Sequence, residues 1–558
     1  MDTLVGENYL FDNTLNKAGS DADTYLVKQK NFTQYIDQQR GQGDYTSGKV
    51  IIDAQSGNTS DVNDWSDAYI TLPNQYKLDV YASTATNITA FDPNYLLTPK
   101  NCSLVESMRV EQGGRVIIED CSNLSHLVSF RKHQTTSATS IGNDTGDIYY
   151  PDSEFSESIT ASIAGVRNVS NCPITISTNA PNTFYNNGAL MRQRQMIGNN
   201  RITTFVSAAA SANEQAPYQA STGGAGPLST SASSPTTLSD VHYLAVIYLR
   251  DLSDYFAKHP LAKGGYKFTF TINQAVTTMV TASVTTPFSS AITLTATALT
   301  GPASVQPCMA NIGGTNCVNS PVTVNNAAIL GYTLTSKIDT TANTRQSGVL
   351  LWVPSLTLSD KDEAKLLSQP IIHRTPFMIN SSVYQNQGSL SPINLQLFNA
   401  ISNPRAVIII PQFSAATGSQ TQPSQASPFN PCPGVTDPLS ITRLQLRLNT
   451  KPILPAPINY GWTAFIQNTS QLFTANGGLG PSGAINTGQI SLSKFMNNYR
   501  YYAFDVSLTS ADQRDIPQMI TLEGYNNSAV AMDLYVFVLY EQDCTFNIAN
   551  ATVQVGTA

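Results

Sequence analysis

The most constraining segment of this 558-residue chain lies close to its C-terminus. Val530, Met532, Leu534, Val536 and Val538 fall on one side of an extended run, and Ala531, Tyr535, Phe537 and Leu539 on the other. A strand that is apolar on both faces must be central in its sheet and covered on both sides. The other apolar runs are short. Residues 49–53, 68–72, 348–357, 406–410, 441–448 and 501–508 each read as a strand bounded by Pro, Gly or Asn, with Pro73 ending the second of them. Residues 106–120 alternate on either side of Gly113-Gly114, which predicts a tight hairpin. Tyr266, Phe268, Phe270 and Ile272 alternate with Lys267, Thr269 and Thr271, a strand with one wet face. Two short helices are predicted between strands. One covers 251–256 and ends before Pro260; the other is capped by Ser359 with Asp362, carries Leu366 and Leu367, and ends before Pro370.

Charged residues make up only 12% of the chain and hydrophobic residues 41%. The surface polarity therefore comes from Ser, Thr, Asn and Gln, and 30 Pro with 34 Gly supply the turns of an all-β protein. Length alone gives three or four domains, or two if the units are large β-sandwiches. The net charge of −7 and the absence of any dense Lys/Arg run disfavour sequence-reading contact with nucleic acid and a basic membrane-binding face. Met1-Asp2-Thr3-Leu4-Val5 lacks the features of a secretory signal, and no apolar stretch reaches membrane-span length. Seven cysteines without a C-x-x-C pair read as reduced thiols. Residues 207–240, rich in Ala, Ser, Thr, Gly and Pro, and residues 477–488 cannot build a core. The Thr-rich stretch 276–324 is strand-prone and poorly bounded, and the division between two similar sandwich units is placed near its end.

Catalytic signatures are missing. There is no phosphate-binding Gly-rich loop with Lys, no H-E-x-x-H, no G-x-S-x-G and no dinucleotide fingerprint. The five histidines, His126, His133, His242, His259 and His373, lie on unrelated segments and read as structural. Asp61, Asn63, Asp64 and Asp67 are oxygen-rich but lack calcium-loop spacing, and read as a solvated turn. Cys308 and Cys317 have no further ligands nearby and read as free thiols. No catalytic, metal or cofactor-binding residue is assigned, and no cofactor is expected. The 25 tyrosines fit ordinary strand packing or ring stacking on glycans.

Four stretches, in order along nearly the whole chain, carry a resemblance. They are Tyr45-Thr46-Ser47-Gly48-Lys49-Val50 with Trp65-Ser66-Asp67-Ala68-Tyr69-Ile70-Thr71-Leu72-Pro73; Tyr248-Leu249-Arg250-Asp251-Leu252-Ser253-Asp254-Tyr255-Phe256 with Pro260-Leu261-Ala262-Lys263-Gly264; Leu351-Trp352-Val353-Pro354 through Ser402-Asn403-Pro404-Arg405 to Ser427-Pro428-Phe429-Asn430; and Asn498-Tyr499-Arg500-Tyr501-Tyr502-Ala503-Phe504-Asp505 with Asp533-Leu534-Tyr535-Val536-Phe537-Val538-Leu539-Tyr540-Glu541. Together they resemble the double jelly-roll major capsid proteins of polinton-like viruses and virophages, within the adenovirus-like capsid lineage. The resemblance implies two consecutive eight-stranded jelly rolls with short helices and long surface loops. It divides the chain into an N-terminal arm at 1–42, a first jelly roll at 43–325 with inserted loops at about 135–240 and 276–325, and a second at 326–558. It implies a non-enzymatic virion protein that forms a homotrimeric, pseudo-hexameric capsomer. The partners implied are copies of itself, neighbouring capsomers, and penton and minor capsid proteins, around a double-stranded DNA genome. The polar loops are expected to form outer towers or clamps, and the arm to grip neighbouring capsomers. The competing expectation is a β-sandwich adhesion or glycan-binding spike or appendage protein.

Overall fold

The computed structural model of the chain describes residues 27–38, 48–55, 62–82, 88–91, 104–113, 116–135, 159–163, 166–169, 236–272, 275–280, 288–291, 322–338, 348–368, 370–413, 440–449, 451–475, 501–507, 516–528, 531–548 and 552–556, with isolated positions between them. Two units of the same wind follow one another. The first contains β1 (Val27–Ile36), β2 (Lys49–Asp53), β3 (Tyr69–Ala82), β4 (Val105–Gln112), β5 (Val116–Cys121), β6 (Thr236–Tyr248), β7 (Lys267–Ile272) and β8 (Leu350–Leu358). The second contains β9 (Phe377–Gln387), β10 (Pro392–Ile401), β11 (Pro404–Phe413), β12 (Ile441–Leu448), β13 (Lys451–Pro452), β14 (Tyr502–Asp505), β15 (Gln518–Asn526) and β16 (Met532–Glu541).

The pairings run β1-β8-β3-β6 and β2-β7-β4-β5 in the first unit, and β9-β16-β11-β14 and β10-β15-β12-β13 in the second. Counted within each unit, both have sheet orders 1-8-3-6 and 2-7-4-5, the winding of an eight-stranded jelly roll. The chain is therefore all-β with two consecutive jelly rolls. Among the described residues five helices are attached: α1 (Leu124–Thr135), α2 (Leu249–Leu252), α3 (Asp254–Ala257), α4 (Asp360–Ser368) and α5 (Trp462–Ala475). Helices α1 and α5 occupy the same place in the two units, between the fifth and sixth strands.

Sequence pattern and structure agree closely in the core strands. Strand β7 buries Phe268, Phe270 and Ile272 while Lys267, Thr269 and Thr271 stay part-exposed. Strand β16 lies between β9 and β11 and is buried on both faces from Met532 to Leu539. The β4–β5 hairpin forms as read, with Gly113 at φ +60°. Ser359 caps α4, its Oγ accepting from the Asp362 N–H at 3.2 Å while donating to the Asp362 carboxylate.

Several expectations need correction. The helix expected at 251–256 is two single turns, because Ser253 is extended (φ −142°, ψ 137°) and its Oγ accepts from the Tyr255 N–H to start α3. Pro73 does not end its strand. Strand β3 pairs with β8 as far as Thr71 and with the strand Val322–Ile338 from Asn74, so Pro73 sits in the gap where that side asks for no ladder bond. Residues 27–36, inside the segment read as an arm, are strand β1, bonded along its length to β8. The polar composition of β1 misled because it is an edge strand whose side chains are largely exposed.

The boundary at 325/326 also falls within a strand. Val322–Ile338 extends the sheet beside β3, joined by Ala275–Val280, Phe288–Ala291 and Ile88–Phe91, so part of the Thr-rich stretch belongs to the first unit. The eighth strand of that unit, β8, ends at Leu358. Residues 1–26, 207–235 and 477–488 lie outside the described residues, as do Val530 and the Ser427-Pro428-Phe429 loop.

Candidate assembly surfaces

The sequence carries no catalytic signature. Among the described residues, no three His, Cys, Asp or Glu side chains are placed to hold a metal ion. Of the oxygen-rich turn, Asn63 bonds Gly264 O and Ser355 Oγ, Asp64 accepts from Ser66, and Asp67 pairs with Arg250 at 2.6 Å. These are structural roles, and Asp61 lies outside the described residues. Cys121 and Cys544 are buried free thiols, while Cys308 and Cys317 lie outside the described residues. His259 is buried in an aromatic cluster, His126 packs on Tyr535, and His373 meets Thr545 at 3.0 Å. The side chains of His133 and His242 are not among those described.

The fold builds surfaces instead. The first is the seam between the two jelly rolls. Helix α1 follows β5 and buries Leu124, Leu127, Val128 and Phe130. It lies against the outer face of the β9-β16-β11-β14 sheet: the His126 ring is 4.3 Å from Tyr535, and Phe130 meets Tyr501 edge-on at 4.9 Å. Ser122 Oγ and Ser381 Oγ are 2.8 Å apart beside it. This explains why β16 is apolar on both sides, one face meeting its own sandwich and the other the helix.

Further along, the Asp254 carboxylate accepts from the Phe377 N–H at 2.8 Å, and Lys258 donates to Thr375 O at 3.1 Å with its ammonium 4.1 Å above the Phe377 ring. Gln112 Oε1 accepts from the Val553 N–H at 2.8 Å. One hydrophobic cluster runs through both units, so they pack as a single body across this seam.

A buried carboxyl group, Glu119, and a part-buried one, Glu106, lie on the first unit's side of the seam. Burial pushes Glu119 up to about 7, opposed by a hydrogen bond from Ser253 and by Arg131, and reinforced by Asp254. Burial likewise pushes Glu106 up to about 7, partly offset by the Asn123 backbone. Each carboxyl group has one buried oxygen without a hydrogen-bond partner, Oε1 of Glu119 and Oε2 of Glu106, which suits the protonated form.

The second surface is the outer face of the β1-β8-β3-β6 sheet. In register across the four strands stand Gln34, Trp352, Tyr69 and Tyr248, and one step along stand Ile36, Leu350, Thr71 and Val246. Tyr69 stacks with Trp352 at 6.3 Å and lies 5.5 Å from Tyr248, and Phe32 approaches Tyr69 at 6.1 Å. Trp352 donates to Thr71 Oγ1 at 3.0 Å. Phe32 and Ile36 are 49% and 50% exposed, and the three rings of the row are part-exposed. Lys30, Asp67 and Arg250 edge the row. Neither α1 nor the aromatic row was singled out from the sequence, because both depend on which strands become neighbours.

No protein-family model matches the chain, and no curated protein matches it. Among solved structures the chain is similar to a chain of the Sputnik virophage determined by cryo-EM, with 12% identity, TM-score 0.47, and coverage of 96% of this chain and 90% of that one. It is also similar to the mavirus major capsid protein, with 8% identity, TM-score 0.45 and coverage of 96% and 93%. A third is the Faustovirus major capsid protein, with 7% identity, TM-score 0.42 and coverage of 94% and 91%. No helix among the described residues is long and apolar enough to cross a membrane.

Proposed function

We propose that this chain is a major capsid protein, a structural protein rather than an enzyme. Three copies close into a pseudo-hexagonal capsomer, and capsomers tile an icosahedral shell around a double-stranded DNA genome. The observation that carries this reading is the repetition within one chain: two jelly rolls of identical strand order, locked side by side by α1, with Phe32 and Ile36 about half exposed at one end of the equivalent outer sheet face of the first unit. A subunit with two like domains has two quasi-equivalent sides, and three such subunits joined head to tail close with six like units. The sequence resemblance described above points the same way. Penton and minor capsid proteins are the further partners of the assembled shell, and the acidic balance of the chain fits a shell that does not itself condense DNA.

Mass determination in solution with negative-stain electron microscopy tests this. Particles of three-subunit mass with a six-cornered outline, or closed shells, are the expected result. Monodisperse monomers at all concentrations would remove the proposal and leave the glycan-binding alternative.

A further inference from the structure

We infer that the aromatic row on the β1-β8-β3-β6 face is the seat for helix α5 of a second copy of this chain. The inference rests on the capsomer reading and gives it a contact. Its template is inside the molecule: the helix between the fifth and sixth strands of the first unit, α1, covers the outer 1-8-3-6 face of the second unit through His126 and Phe130, one turn apart. The second unit carries the equivalent helix, α5, and the first unit carries the equivalent face.

Both halves of the contact have the surface that such a repeat needs. In α5, Phe465 and Thr469 are buried against the helix's own unit, while Trp462 and Ile466, again one turn apart, are part-exposed and Thr463 and Gln467 exposed. The ring contacts of Trp462 are to Phe465 and Phe495, within its own unit. The fourteen residues of α5 include no charged side chain, unusual for a helix facing water. On the sheet, the far end of the outer face is already covered, where α4 places Leu366 with Leu356 and Leu358. At the near end Phe32 and Ile36 are about half exposed, and Trp352 and Tyr69 are part-exposed. An apolar patch edged by polar and charged groups marks a protein contact. Because helix and seat lie on different units, the contact is head-to-tail and propagates to a closed ring.

The test uses two single variants at exposed positions, Phe32→Asp in the seat and Gln467→Asp on the helix, with Ile117→Asp as control on the exposed side of β5, where Ile117 is 48% exposed. Each full-length protein is checked for an unchanged melting profile and its mass measured by sedimentation. The expected result is a three-copy wild type and control, with both variants reduced to single copies. An equimolar mixture of the two variants should give a two-copy species, since one supplies an intact helix and the other an intact seat. Misfolded variants could not complement each other in this way. Wild type and both variants all of three-copy mass would overturn the contact while leaving the capsomer intact. A wild type that stays single-copy would remove the capsomer reading as well. Glycan binding by that single-copy protein, lost in Trp352→Ala, would reassign the row to carbohydrate.

Discussion

The Tyr266 hydroxyl donates to His259 Nε2 across 2.5 Å, and the identity of the other partner fixes the direction of every proton in the cluster. His259 Nδ1 lies 2.6 Å from Pro260 O, which can only accept, so Nδ1 carries the hydrogen and Nε2 accepts. Tyr266, with its own hydrogen directed at His259, accepts from Tyr255 at 3.0 Å. The three side chains are buried where α3, β7 and the C-terminal strand Cys544–Asn547 meet, with Phe546 5.0 Å from the His259 ring. The cluster helps to join the first unit to the end of the second.

Tyr266→Phe removes the donor to a buried imidazole nitrogen and the acceptor for Tyr255 together. A loss of about 1–3 kcal/mol is expected. Tyr255→Phe removes only the first donor of the chain and leaves His259 satisfied, so its loss should be smaller. Urea denaturation of the two variants checks the order.

The same geometry sets an acid limit. Burial pushes His259 down to about 3 from 6.5, with the hydrogen bond to Pro260 acting the other way. The unfolded chain therefore binds a proton first, and stability falls as pH drops from 6.5 toward 3. The slope from this residue is at most about 1.4 kcal/mol per pH unit. Denaturation midpoints at pH 7 and pH 5 should move closer together in His259→Gln.

Glu119 acts in the opposite sense. Its carboxyl is raised to about 7 inside the fold from 4.5, so the stability available below pH 4.5 is lost as pH rises through 7. Glu119→Gln imitates the protonated form and keeps the acceptor for Ser253. It should be more stable than wild type above pH 7, by up to about 3 kcal/mol, and indistinguishable from it near pH 4. Equal effects at both pH values would show that the carboxyl is not buried as described.

The sequence made some of this legible and hid the rest for identifiable reasons. The double apolar pattern around Val536 foretold a central strand, and the alternation through Phe268 foretold a half-wet one, because both signals are local. Strand β1 was hidden, since an edge strand with Lys28, Lys30 and Asn31 facing solvent has the composition of an arm. The helix α1 was hidden for the reverse reason: Leu124 to Thr135 is buried on nearly all sides and carries no amphipathic stripe. The aromatic row is assembled from residues 32, 69, 248 and 352, which only the strand order brings together.

The turn at Lys263-Gly264-Gly265 gives a sharper mutational expectation. Asn63 and Trp65 both donate to Gly264 O, at 2.9 and 3.3 Å, and Gly264 has φ +95°. A Cβ on Gly265 would stand 1.9 Å from Ala54 O, a backbone atom that cannot swing away. Gly265→Ala must therefore part β7 from the end of β2, and a loss above about 3 kcal/mol is expected, within the range of severe backbone clashes. Gly113→Ala is the comparison. Its Cβ would meet nothing within 4 Å, so only the left-handed φ of +60° is strained and the loss should be near 1 kcal/mol, roughly the penalty of that backbone region.

The seam itself can be weighed through Phe130, which belongs to the first unit by sequence and touches the second through Tyr501. Deleting a buried phenyl ring ordinarily costs about 3–5 kcal/mol. If α1 were only a lid on its own jelly roll, Phe130→Ala would lower the stability of the first unit and leave the second unchanged. With the ring wedged between units, the loss should be shared. Hydrogen exchange should then quicken on β14 and β16 of the second unit as well as on α1, while β10 and β15 on the far sheet stay protected. Acceleration confined to residues 124–135 would place the strength of the seam elsewhere, in the Asp254, Lys258 and Gln112 contacts.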